Sequence, residues 1–175
     1  MEKRDVIQDI IGNPDAPISM AIVSNHKYDW KQEMELRKGF EHGLAYEEVM
    51  IYANPEFDWE QMDELRCALE RGMDIEYVMS YADPKFDVDQ MEMMRLGYEE
   101  GLGLEDIAMY AKEELNHEQM FEIMYGMRQG LTRDDVAAYA RADIPAEAMK
   151  DIRKQLEEVR HCRGNQKRRF SFLSR

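Results

Sequence analysis

Four histidines, two cysteines and a large surplus of carboxylates are the groups in this chain able to do acid–base, nucleophilic or metal chemistry. His26, His42, His117 and His161 stand at unrelated positions, and His161-Cys162 has no second ligand pair at metal spacing. Cys67 and Cys162 are too far apart in sequence to suggest a disulfide framework, and they fit a reducing compartment. A catalytic carboxylate pair needs two acids in one cleft with pKa values driven apart. Here Glu41, Glu70, Glu99 and Glu157 recur at multiples of one interval, as the polar face of a scaffold does. Asp83-Pro84-Lys85 lacks calcium-loop spacing, and there is no phosphate-binding glycine loop or nucleophile elbow. The expectation is a protein with no catalytic residue, no metal and no cofactor.

The interval itself is the stronger message. Tyr28, Phe57, Phe86, Leu115 and Ile144 are each 29 residues apart. Asp29, Asp58, Asp87 and Asn116 follow them, then Gln32, Gln61, Gln90 and Gln119. Tyr52, Tyr81, Tyr110 and Tyr139 form a further ladder, each followed by alanine. Several ladders in one register indicate an internal repeat.

Each unit reads as a helix pair. Asp58 is an N-cap with Gln61 three residues on, a capping box, and Phe57 is placed to staple onto Met62. Leu65 and Leu69 continue an apolar stripe, and Gly72 ends the helix, as Gly43, Gly101 and Gly130 do elsewhere. A short second helix follows, with Asp74, Gly103 or Thr132 as N-cap and Ala45 as a poor one. Val49, Val78, Ile107 and Val136 mark its buried face. Asn54-Pro55 and Asp83-Pro84 end it, and the replacement of proline by Glu113 and Ala142 predicts different turns there.

The predicted fold is all-α, a short α-solenoid of about four helix pairs with atypical capping ends. Residues 1–27 read as a degenerate capping pair, with helices over 3–11 and 17–24. Residues 28–143 hold the four pairs, 144–159 a capping helix and 160–175 a basic tail. No apolar run reaches the roughly 18 residues of a membrane span, and the start carries charges inside its apolar stretch, so a soluble cytoplasmic protein is expected.

Phe-Asp-Trp-Glu-Gln-Met at 57–62 and Tyr-Ala-Asp-Pro-Lys-Phe at 81–86 resemble a short helical repeat of uncharacterised proteins from Firmicutes mobile elements and phages. The likeness spans roughly residues 20–158. It implies no activity and no catalytic residue; what it implies is a setting in which proteins that disable host defences are common.

Candidate contact residues come from what varies or repeats. Arg37, Arg66, Arg95 and Arg153 are equivalent, with Met124 in the fourth unit. An arginine there can lay its stem on the core and pair with acids of the next unit, or it can face a partner. The tyrosine ladder shares a register with the core valines, which favours packing over exposed anchors. Trp30 and Trp59 open the first two first helices, and Val88 and His117 replace them later, which suggests a contact needed only at the N-terminal end. Lys31, Glu60, Asp89 and Glu118 vary between units, as do Lys38, Cys67, Leu96 and Tyr125; Leu96 and Tyr125 weigh most if exposed.

Charge supplies the rest. The net charge is −14, but residues 160–175 carry six bases and no acid, leaving 17 bases against 37 acids over the first 159. The first reading is a non-enzymatic repeat protein that engages a partner protein through an acidic surface. The second is a nucleic-acid mimic of anti-CRISPR or anti-restriction type, filling the basic groove of a host defence nuclease. The tail, with Arg168, Arg169 and Phe170, has three readings: it contacts nucleic acid, folds back on the acidic body, or is a solvated end.

Overall fold

The structure is a computed structural model that describes residues 27–173, with side chains through Cys162. The proposed capping helices over 3–11 and 17–24 lie outside the described residues. Among those described there are nine helices and no strand. No described helix is long and apolar enough to cross a membrane.

In chain order the helices are α1 (Trp30–Glu41), α2 (Tyr46–Tyr52), α3 (Trp59–Glu70), α4 (Ile75–Tyr81), α5 (Val88–Glu99), α6 (Leu104–Ile107), α7 (His117–Arg128), α8 (Arg133–Ala137) and α9 (Ala146–Leu173). The chain divides into two compact units, the first ending at Met91 and the second starting at Glu92, so the division falls inside α5. In the first unit α1 packs on α2 and α3, and α3 packs on α2 and α4. In the second, α7 packs on α8 and α9.

Local chemistry sets the helix ends. Asp29, Asp58 and Asn116 accept the N3 backbone N–H while the N3 glutamine takes the cap N–H, a capping box that satisfies two orphan donors at once. Asp87 and Gln90 make the same two bonds at α5. Helices α1, α3, α5 and α7 each stop at a glycine with positive φ, 75° at Gly72 and 91° at Gly43, a conformation an L side chain rarely adopts. Ala45 offers no side-chain cap, but Glu48 accepts its N–H at 2.7 Å.

The core is the apolar face of both helix types. Leu36, Val49, Met62, Leu65 and Val78 are fully buried in the first unit, and Met120, Ile123, Val136 and Met149 in the second. Tyr52, Tyr81, Tyr110 and Tyr139 are also fully buried, so the ladder packs rather than offering anchors.

Two expectations are corrected. The turns after the second helices do not differ where proline is lost: Phe57 and Phe86 N–H bond back to Asn54 and Asp83 at 3.1 Å, and Leu115 and Ile144 to Lys112 and Arg141 at 3.0 Å. Proline presets φ at the second position of such a turn but is not needed to form it. The last helix does not stop near Val159 but runs to Leu173. Residues 160–173 contain no proline and only one glycine, so their composition does not break the helix.

Candidate functional site

The N-terminal edge of the first unit holds the clearest exposed grouping. Capping by Asp29 and Asp58 puts Trp30 and Trp59 at the first position of α1 and α3. Trp30 is 70% exposed and Trp59 half-buried. The Lys31 ammonium lies between them, 4.4 Å from the Trp59 ring centre and 5.9 Å from that of Trp30. This cation–π arrangement holds a cation between two indoles and leaves the outer one to solvent. Glu60 follows Trp59 and is exposed. The sequence named these residues separately; the structure brings Trp30, Lys31 and Trp59 together.

The other sequence candidates separate. Asp89 is exposed on α5, and Leu96 is half-buried. Tyr125 is also half-buried, but the Arg153 guanidinium lies 4.5 Å over its ring and the Phe121 ring is tilted against it with centres 5.7 Å apart, so it packs rather than anchors. Arg168, Arg169 and Phe170 fall within α9, beyond the described side chains.

The arginine ladder is mostly structural. Glu35 is fully buried in α1; its carboxylate accepts from Arg66 Nε at 2.9 Å and pairs with Lys38 at 2.7 Å. Arg66 also binds Glu70 at 2.5 Å and Asp63. His42 Nδ1 donates to the same Glu70 carboxylate at 2.8 Å. Burial works against the Arg66 charge, yet the bonds to Glu70 and Glu35 hold its pKa above the ordinary value. Burial pushes the Glu70 carboxyl up, but the bonds and charges of Arg66 and His42 together outweigh it and draw its pKa below the ordinary value. In the second unit Arg153 bonds Glu122 at 2.8 Å and Glu157 at 2.7 Å. Arg37 departs from the ladder and is exposed. These carboxylates are committed to guanidinium partners in a fixed geometry.

The pairing follows a spacing of 31 residues, Glu35 with Arg66 and Glu122 with Arg153. At the same spacing stand Met93 and Met124, both partners replaced together by apolar residues. Removing one partner strands a buried charge, whereas removing both need not destabilise.

The glutamine ladder does more than cap. The Gln61 amide donates to the Pro84 carbonyl at 3.1 Å and the Phe86 carbonyl at 2.6 Å, while its oxygen takes the Asp58 N–H. Gln32 and Gln119 repeat this on Pro55 and Phe57, and on Ala142 and Ile144. A glutamate could cap but could not donate.

A second ladder explains the tyrosines. A Cβ added at Gly39, Gly97 or Gly126 would collide with the hydroxyl of Tyr52, Tyr110 or Tyr139. Position 68 in the same register is alanine, and there Tyr81 turns its hydroxyl to Met73 Sδ at 3.9 Å. Tyr139 donates to the Glu122 carbonyl at 3.3 Å, but the buried Tyr52 hydroxyl has no partner among the described residues. Burial pushes both the Tyr52 and Tyr139 hydroxyls far above the ordinary phenol value.

Sequence reasoning missed several exposed apolar side chains. Met79 is 62% exposed and Ile75 42% on α4, and Phe121 is 42% exposed on α7. The signal was present in Ile75 and Met79, spaced i, i+4 on a helix whose buried side is already filled by Val78 and Tyr81. Among the described residues no group of three or more His, Cys, Asp or Glu is placed to hold a metal ion.

No protein-family model, curated protein or solved structure matches the chain.

Proposed function

We propose that this chain is a non-enzymatic α-helical repeat protein, a short solenoid of 29-residue helix pairs that binds a partner protein. The observation that carries this reading is the Trp30–Lys31–Trp59 grouping. A tryptophan 70% exposed beside a fixed cation gives an amphipathic anchor of the type enriched at interface hot spots. Its neighbours Met34 and Glu60 are also exposed and supply an apolar contact and an acid rim. The buried carboxylates, arginines, glutamines and tyrosines all have packing or capping roles that support such a scaffold.

The second reading keeps the same scaffold and makes the acid surface the active feature. Its support is the count of 37 acids against 17 bases over the first 159 residues, with Glu47, Glu56, Glu60 and Glu76 exposed in the first unit. Such a surface can stand in for a phosphate backbone in the groove of a defence nuclease.

Capture of partners from a Firmicutes lysate, washed at low and at high salt and then challenged with duplex DNA and with RNA, tests both. The protein-binding reading expects a partner that withstands high salt, ignores nucleic acid and is lost with Trp30→Ala. A nucleic-acid enzyme released by salt and displaced by DNA or RNA would replace it with mimicry. Equal capture by wild type and Trp30→Ala would remove the tryptophan patch.

A further inference from the structure

The first turn of each second helix carries an acid: Glu47, Glu76, Glu105 and Asp134. In the second unit arginines reach the ladder acid Glu105 and the neighbouring acids Asp106 and Asp135. Arg133 bonds Asp106 at 2.6 Å and also Glu105, and Arg160 bonds the Gly130 carbonyl and lies 3.5 Å from Asp135. In the first unit the residues equivalent to Arg133 are Tyr46 and Ile75. No lysine or arginine reaches Glu47 or Glu76 among the described residues. Beside them Ile75 and Met79 are exposed, 42% and 62%. Exposed Glu47 on α2, and exposed Glu76, Ile75 and Met79 on α4, therefore present acidic and apolar groups that no described arginine or lysine pairs, whereas Arg133 pairs with Glu105 in the second unit.

The complementary chemistry lies at the end of α9. Glu122 meets Arg153 and Gly130 meets Arg160, so α7 and α9 run side by side in the same direction. Since α7 ends at Arg128, residues after Arg160 are carried past its end. At ~1.5 Å per residue the stretch 160–173 is ~20 Å long. Its sequence combines Arg163, Lys167, Arg168 and Arg169 with Phe170 and Phe172, and has no acid. A helix that continues straight from Arg160 carries these residues past the end of α7.

We propose that the α9 end of one copy docks on the α2–α4 edge of a second copy. The bases stand to Glu47 and Glu76 as Arg133 and Arg160 stand to the acids of the second unit, and the aromatic residues meet Ile75 and Met79. A two-fold dimer makes this contact twice and closes on itself. A polyanion is the less favoured occupant, because the rest of the chain repels it. The contact uses a different edge from the tryptophan grouping and does not depend on that reading.

Sedimentation velocity of the full chain over rising concentration tests the proposal. The expected result is a mass climbing from 20.7 kDa towards twice that value. Arg168→Glu/Arg169→Glu and Glu47→Lys/Glu76→Lys should each be monomeric alone and dimeric when mixed, since the two reversals complement. Met79→Glu, at an exposed position that leaves the fold intact, should weaken the dimer at least tenfold. A mass of 20.7 kDa at every concentration would overturn the proposal, with the helix end then serving its own chain or another partner. So would a dimer that neither reversal disrupts, or reversals that fail to complement.

Discussion

The two units solve the same packing problem with different chemistry at several positions. In the first, Glu35 and Arg66 form a buried, hydrogen-bonded pair tied to Asp63, Glu70 and His42. In the second, Glu122 and Arg153 keep the pair, while Met93 and Met124 stand where both partners have been exchanged. His42 with Glu70 runs base to acid in one unit, and Glu100 with Arg128 runs acid to base in the other. The capping boxes, the glutamine bonds and the buried tyrosines do not change. What is invariant holds the helices together; the polarity of the ion pairs is free to vary provided both partners vary.

The largest expected effect follows from that contrast. Arg66→Met alone leaves the buried Glu35 with only Lys38 and should cost about 3–5 kcal/mol in denaturant unfolding. Glu35→Met/Arg66→Met, which copies the Met93 and Met124 solution, should recover most of that loss. A double variant as unstable as the single one would break the comparison. Next come the glutamines: Gln61→Glu in one unit and Gln119→Glu in the other should each cost about 1–3 kcal/mol, because a carboxylate would face two carbonyls. Gly97→Ala and Gly126→Ala should cost about 1–3 kcal/mol by overpacking against Tyr110 and Tyr139. Adding the tyrosine-to-phenylalanine change to either variant should restore part of the melting temperature.

The smallest effect concerns pH. The Glu70 pKa is lowered in the folded state, so its pairing adds stability above the ordinary glutamate value of about 4.3. That contribution is lost as pH falls through the lower folded value. Glu70→Gln should therefore lower stability slightly at neutral pH, flatten the acid limb of the stability curve, and converge with the wild type below the folded Glu70 value.

Much of this was legible in the sequence because it is local. A capping box, a glycine stop and an i, i+3 valine–tyrosine pair lie within one turn, and each was placed from spacing alone. The second role of Gln61 was hidden, since its carbonyl acceptors lie 23 and 25 residues away and depend on packing. The glycines at 39, 97 and 126 escaped for the same reason: their partner is a tyrosine 13 residues on, across the helix pair. The end of α9 was misjudged at Val159 because the repeat pattern stops there, whereas helix formation needs no repeat. The function was least legible. Trp30 and Trp59 were recognisable as unusual, but only the fold sets Lys31 between them.

The most direct test sets the two units against each other. Lysate capture would be repeated with Trp30→Ala/Trp59→Ala in the first unit and with Phe121→Ala/Leu96→Ala in the second, each checked for unchanged melting. The account predicts that the first pair abolishes capture of the partner and that the second leaves it intact. Loss of capture with the second pair alone would contradict it and move the binding surface to α5 and α7.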